Sequence, residues 1–409
     1  MTRRRRRRSN PLFVVALVAL IGAVLYVNQI VVPEIPTPFV ITATPTRSPE
    51  SFLTEARRLF DEGNLSQSIS TYQESILADS TNPSLYTELG RVQVLAGEYE
   101  AALTSAQNAL LLNPNNAMAM AIQGWAQYFL GDVLTAESTL KQSLALDPNN
   151  GLAHAYYAEI LSEGGKFEQA GEASRQAVNL ASDKLEAYRA RGIVLELTGN
   201  YEEAITEYQA ALRINPNIAD LHIAIGRNYA TIQNFDAAEE AFIRANSLKP
   251  SDPLPDSYLA NTYARIGQFS KAVQYAELAV QDDPSDPALY GSLGIMLYRN
   301  GQRAEAIEPL RLAVMGGTSE GGLQIEGIAL APGRVAEYYS TFALALARTN
   351  ECGEALQIVQ MLLTGVPEDE TAQFNANEAQ VICQENLNAT PTLEAVEAMP
   401  EGVEATPTP

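Results

Sequence analysis

Few residues of this 409-residue chain have the types and spacing that chemistry needs. There are two histidines, His154 and His222, and two cysteines, Cys352 and Cys383. Paired acids recur, as in Glu202–Glu203 and Glu239–Glu240. No serine, cysteine or threonine stands in a nucleophile motif, no strand pattern exists, and no glycine-rich phosphate loop follows one. The paired glutamates open apolar-periodic stretches, where the positive end of a helix dipole favours them as solvated charges rather than as an acid–base pair. The expectation is therefore a non-enzyme: no catalytic residue, no metal ligand set, no cofactor and no small-molecule substrate.

What must position these residues is legible in 199–217, GNYEEAITEYQAALRINPN. Tyr201, Ala204, Ile205, Tyr208, Ala211 and Leu212 share one helical face. Asn200 stands at an N-cap with Glu203 three residues on, the spacing of a capping box, and Pro216 stops the helix. The stretch repeats. In steps of 34, Ala204 belongs to the series Ser68, Ala102, Ala136, Ala170, Ala204, Ala238, Ala272 and Ala306. Gly199 belongs to Gly63, Gly97, Gly131, Gly165, Gly199, Gln233, Gly267 and Gly301. The register runs unbroken from 49 to 320. In the same register His154 and His222 occupy the position of Tyr86, Tyr188, Tyr290 and Tyr339, which makes them packing residues.

A period of 34 with this pattern resembles the tetratricopeptide repeat, a helix–turn–helix unit. The family's small residue in the first helix appears as Ala56, Gly90, Gly124, Ala158, Gly192, Gly226, Ala260 and Gly294, and the aromatic that opens the second helix as Tyr99, Phe167, Tyr201, Phe235 and Phe269. Leu65, Val133 and Arg303 depart from it. The resemblance implies an all-α, right-handed superhelical α-solenoid over 49–369. Its units are 49–82, 83–116, 117–150, 151–184, 185–218, 219–252, 253–286, 287–320 and a looser 336–369. A capping helix over 370–387 follows, because a last repeat otherwise exposes its stacking face. On that helix Ala372, Ala376, Ala379, Cys383 and Leu387 share a face, and Phe374 and Val381 lie opposite. The insertion 316–335 reads as a surface loop, with a short hairpin at 323–330.

The resemblance also implies a binding surface, since first helices of this family line a concave groove. Carried over position by position, the inward residues are Arg57, Phe60, Asp61, Arg91, Trp125, Tyr128, Phe129, Glu159, Glu163, Arg189, Glu196, Arg227, Asn261, Arg265, Tyr298, Arg299 and Arg348. Trp125, Tyr128 and Phe129 form an aromatic cluster of the hot-spot type; the competing reading packs Trp125 and Phe129 between repeats. The arginines either meet a partner or pair with glutamates across repeats. The Lys/Asn set by which some members clamp a chaperone's carboxylate tail is absent, Asn261 alone matching.

Composition sets the surroundings. Net charge is −22, and the six arginines at 3–8 leave the remainder at −28. So acidic a surface repels nucleic acid and suits a cationic or apolar protein or peptide partner. The basic block, 1–10, precedes the apolar run 12–32, which at 1.5 Å per residue reaches about 31 Å, enough for a bilayer core. The expectation is a single-pass signal-anchor over 11–32, arginines cytoplasmic and repeats extracytoplasmic. A cleaved signal peptide and an organelle anchor with cytosolic repeats are the alternatives. A Pro/Thr-rich linker, 33–48, spans at most roughly 50 Å, and the acidic tail 388–409 is expected to be disordered. In an extracytoplasmic setting Cys352 and Cys383 can form a disulfide that holds the cap; two buried free thiols are the other possibility. Together these features read as a membrane-tethered scaffold or assembly factor for proteins. A structural accessory of a secretion, pilus or cell-wall machine, or a regulatory or sensor subunit of an enzyme on another chain, are the alternatives.

Overall fold

The computed structural model describes residues 10–27, 29 and 48–389. The chain divides into two units, Met1–Ser51 and Phe52–Pro409. In the first, helix α1 (Pro11–Tyr26) has 16 residues, none of them buried. These 16 residues are about 24 Å long. Among the described residues no helix is long and apolar enough to cross a membrane. The expected span over 11–32 is described only in part: 28 and 30–32 lie outside the described residues. The arginine block, the linker over 33–47 and the tail from 390 lie outside the described residues.

The second unit is a stack of helix pairs. They are α2 (Pro49–Asp61) and α3 (Leu65–Ala78), α4 (Pro83–Ala96) and α5 (Tyr99–Leu112), α6 (Ala117–Phe129) and α7 (Val133–Leu146). Next come α8 (Gly151–Glu163) and α9 (Phe167–Leu180), α10 (Leu185–Leu197) and α11 (Tyr201–Ile214), α12 (Ala219–Thr231) and α13 (Phe235–Leu248). The last are α14 (Pro253–Arg265) and α15 (Phe269–Asp282), α16 (Pro287–Arg299) and α17 (Arg303–Met315), and α18 (Arg334–Arg348) and α19 (Cys352–Gly365), capped by α20 (Glu370–Ala389).

Two recurrent devices make the pairs. The first is the turn between helices, where one residue per unit adopts a left-handed conformation. Glycine serves at Gly63, Gly97, Gly131, Gly165, Gly199, Gly267 and Gly301; Gln233 (φ 62°) and Asn350 (φ 67°) hold the same place in the sixth and ninth pairs. The second is the crossing point, where the missing side chain of one helix admits the large side chain of its partner. A Cβ added at Gly226 would lie 2.5 Å from the Phe242 ring, at Gly192 2.6 Å from Tyr208, and at Gly294 2.4 Å from Leu310. At the same spacing Ala158 and Ala260 stand against small residues, Ser174 and Ala276, although Ala56 stands against Tyr72 and Gly90 against Ala106.

First helices are capped by Asn82, Asn116, Asn150, Asp252 and Asp286, whose side chains accept from backbone N–H groups of the first turn. Asn200 holds the N-cap position of α11 without such a bond. Its amide turns back to Thr198 Oγ1, 2.9 Å away, so the capping box expected with Glu203 does not form.

The insertion is anchored differently from the reading above. A two-residue antiparallel ladder pairs β1 (Gly317–Thr318) with β2 (Gln324–Ile325), so the hairpin lies at 317–325 and not at 323–330. Glycines with positive φ at 316, 317 and 322 decide where the chain can bend. Ile325 is buried, Ile328 N–H donates to Ala313 O at 2.8 Å, and Tyr339 Oη donates to Ile328 O at 2.8 Å.

The cap docks through Ala372, Ala376, Ala379 and Cys383, all buried, while Phe374, Val381 and also Leu387 face solvent. Cys383 forms a disulfide with Cys352 at the start of α19, with the Cα atoms 5.3 Å apart. The buried apolar residues run from Ala56 to Cys383, and none belongs to α1.

Candidate functional site

The first-helix residues expected to face a groove have different partners along the stack. In the N-terminal half they meet each other. Trp125 is 1% exposed. Its ring stacks on Tyr156 at 4.0 Å between centroids, and its Nε1–H donates to Glu159 Oε2 at 3.0 Å. Glu159, itself buried, also takes Arg189, whose guanidinium lies 5.6 Å from the Trp125 ring and 5.9 Å from Phe129. Phe129 stacks on Tyr99 at 4.6 Å, and Tyr128 Oη donates to Glu163. Burial raises the Glu159 pKa, against the opposing pull of Arg189 and the Trp125 N–H. Trp125 is thus a core residue, and its expected exposure in the groove is corrected. Tyr156 and Glu159 of the next first helix cover it.

This half also closes on itself. Arg91 Nε bonds Glu186 Oε1 at 2.5 Å and its Nη2 bonds Oε2 at 3.0 Å, across 95 residues of sequence. The Glu186 side chain has no solvent exposure. The Arg91 guanidinium sits 5.0 Å over the Phe60 ring. Asn215 Nδ2 donates to Phe60 O at 2.7 Å and Asn217 Nδ2 to Glu62 O at 2.9 Å. The first inter-helix turn therefore abuts the loop between the fifth and sixth pairs. Asn215, Asn217 and Glu186 carry no mark in the repeat register that distinguishes them from their siblings.

Cavities remain along the stack: one of about 310 Å³ beside Gly63 and Asn217, and one of about 350 Å³ lined by Tyr99, Arg189, Ile193 and Arg227 among others. Arg227, Asn261 and Arg265, from α12 and α14, converge on a further cavity of about 350 Å³ shared with Glu196, Thr231, Tyr258 and Thr262. Arg227 pairs with Glu196 at 2.9 Å, yet its Nε is buried with no hydrogen-bond partner among the described residues. Arg265 donates to Ala230 O at 2.8 Å and lies 4.9 Å over the Phe235 ring. It has no carboxylate partner among the described residues. Asn261, which also lines the cavity, donates to Ser257 O within its own helix. Tyr298, Arg299 and Arg348 are not part of this lining. Arg299 pairs with Glu337 at 2.8 Å, and Arg348 pairs with Glu378 of the cap.

The histidines do what their tyrosine siblings do. His154 Nε2 donates to Pro148 O and His222 Nε2 to Pro216 O, each at 2.9 Å, as Tyr290 Oη donates to Pro284 O at 3.2 Å. A carbonyl can only accept, so Nε2 carries the proton in both rings. Among the described residues no group of three or more His, Cys, Asp or Glu could hold a metal.

The tetratricopeptide repeat family matches residues 53–117, 87–151, 122–184, 185–218, 223–287 and 258–320. No curated protein matches the chain. Among solved structures it is similar to the APC/C hetero-tetramer Cut9–Hcn1, with a TM-score of 0.59 and 16% identity over 83% of this chain. The match spans 57% of that protein's length. It is also similar to pilF of Pseudomonas aeruginosa, with a TM-score of 0.42 and 21% identity over 48% of this chain and 90% of that one. At these identities the likeness concerns the fold alone. With the period of 34, the paired helices and the family match over most of its repeats, the chain belongs to the tetratricopeptide repeat family.

Proposed function

We propose that this chain is a non-enzymatic scaffold or assembly factor that binds a protein or peptide partner in the inner face around Arg227, Asn261 and Arg265. The observation that carries this reading is a difference in pairing: Arg91 and Arg189 each meet a buried glutamate, whereas Arg265 in this cavity has no carboxylate partner among the described residues. Arg265, the unpartnered Nε of Arg227 and the Asn261 carbonyl together suit a partner segment that brings a carboxylate and a backbone N–H. Arg189 and Arg91, spent on Glu159 and Glu186, serve the scaffold instead.

On this reading the repeats are tethered to a membrane through 11–32 and lie outside the cytoplasm. The arginine block, an apolar α1 that buries nothing, and a disulfide suited to an oxidising compartment support it. Two experiments test it. Residues 48–409 used as bait should retain a single stoichiometric protein partner, and Arg227→Gln with Arg265→Glu should reduce capture at least tenfold with helicity unchanged; undiminished capture would move the contact elsewhere. A reporter active only in the cytoplasm, fused after Pro49, should be silent, and activity would reverse the topology.

A further inference from the structure

A second cavity, about 770 Å³, opens between the seventh and eighth helix pairs and the inserted hairpin, and shares no lining residue with the Arg227–Arg265 opening. Its floor is apolar: Tyr290, Leu293 and Leu297 of α16 and Leu312 of α17, each keeping only 5–8% exposure. Leu323 of the hairpin, 41% exposed, walls one side. The rim is acidic: Glu277 of α15, Glu305 and Glu308 of α17, and Glu320 at the hairpin tip. No lysine or arginine lines it. Glu308 is paired with Arg311 at 2.9 Å, whereas Glu277, Glu305 and Glu320 have no ion pair among the described residues.

We infer that this cavity is a docking site for a short amphipathic basic segment of a partner protein, with apolar side chains on the leucine floor and lysine or arginine at the glutamate rim. Floor and rim together select that chemistry. A purely cationic ligand leaves the floor in water, and a purely apolar one leaves three unpaired carboxylates beside a desolvated surface. The chain's own residues 3–8 are consecutive arginines with no apolar side chain among them, so they satisfy the rim alone. A second copy of the repeats is itself strongly acidic. The insertion has a role in this arrangement, since it supplies both Leu323 and Glu320.

The test uses residues 48–409, which hold the buried apolar residues from Ala56 to Cys383. The probe is a fluorescent twelve-residue amphipathic helix of leucine and lysine, read by anisotropy, with a leucine–glutamate counterpart and a hexa-arginine peptide as comparisons. Glu277→Lys with Glu305→Lys should weaken the leucine–lysine probe at least tenfold. Glu202→Lys with Glu203→Lys, an equal charge change on α11, should alter it less than twofold. Leu323→Asp should also weaken it at least tenfold, and circular dichroism should show all variants folded. Equal losses in the two lysine pairs would reduce the binding to general attraction by an acidic surface and overturn the proposal. Hexa-arginine binding as tight as the amphipathic probe would overturn it in favour of the N-terminal block. A Leu323-dependent dimer in sedimentation would overturn it in favour of a second copy.

Discussion

Trp125 shows how an inward direction and an accessible surface can part company. Its position in the unit is readable from the period, but whether a neighbour covers it depends on Tyr156 and Glu159, one repeat on. The register states that these residues exist and is silent on how tightly adjacent first helices approach. With the indole 1% exposed, Trp125→Ala should cost about 3–5 kcal/mol. The urea midpoint should fall accordingly; an unchanged midpoint with lost partner binding would return Trp125 to the groove. Asp256 provides a second residue-level test. It is 2% exposed, accepts from Asn246 Nδ2 at 2.9 Å, and is pushed up to about 6 by burial first and then by Asp282. A raised carboxyl binds its proton more tightly folded than unfolded. Its contribution is neutral below about pH 4, becomes destabilising as pH rises from about 4 to about 6, and stays so above. Asp256→Asn should therefore raise stability at pH 7 by about 1–2 kcal/mol and leave it nearly unchanged at pH 3.5. A variant less stable than the parent at pH 7 in denaturant titration would sink that assignment.

At the scale of elements, most of what was legible came from residues whose backbone or volume leaves little choice. A glycine every 34 residues marks the turns because a left-handed residue is needed there; Gln233 and Asn350, which hold that conformation at a steric cost, show that the register rather than the residue type locates it. In the insertion the apolar stretch 323–330 reads as a strand pair, whereas Gly316, Gly317 and Gly322 set the bend and place the ladder at 317–325. The docking face of the cap was ambiguous from spacing alone, since both faces of α20 carry apolar residues. The bond between Cys352 and Cys383 settles it, 31 residues apart in sequence. By the chain-entropy estimate a loop of that length stabilises by about 3–4 kcal/mol. Cys352→Ser with Cys383→Ser should lower the melting temperature and speed hydrogen exchange in α19 and α20 before the rest of the stack. Uniform exchange along all repeats would deny the cap its local role. Two thiols open to alkylation in protein from its native compartment would end the bridge and weaken the extracytoplasmic reading with it.

For the whole repeat unit, the property that no periodic reading anticipates is closure. A 34-residue repeat specifies contacts between neighbours, and the path of the stack emerges from small rotations summed over many of them. Only that sum brings Arg91 to Glu186, and the turn at 60–62 to Asn215 and Asn217. The consequence for binding is that Arg91 is tied to Glu186 within the stack, while Arg265 is tied to no carboxylate among the described residues. Glu186 is the most exposed to test, in the energetic sense: its side chain is wholly buried and Arg91 is 12% exposed. Breaking such a pair leaves one charge uncompensated and costs about 3–5 kcal/mol, while replacing both partners by apolar groups of like volume is near neutral or stabilising. Glu186→Gln should therefore destabilise, and should raise hydrogen exchange in both abutting turns, 60–64 and 215–217, while the pairs from α14 onward keep their protection. Arg91→Met with Glu186→Leu should restore the stability and the protection together. If the double variant stayed as unstable as the single one, the ion pair itself and not the burial of its site would be holding the closure; if Glu186→Gln left both turns protected, the asparagine contacts alone would suffice.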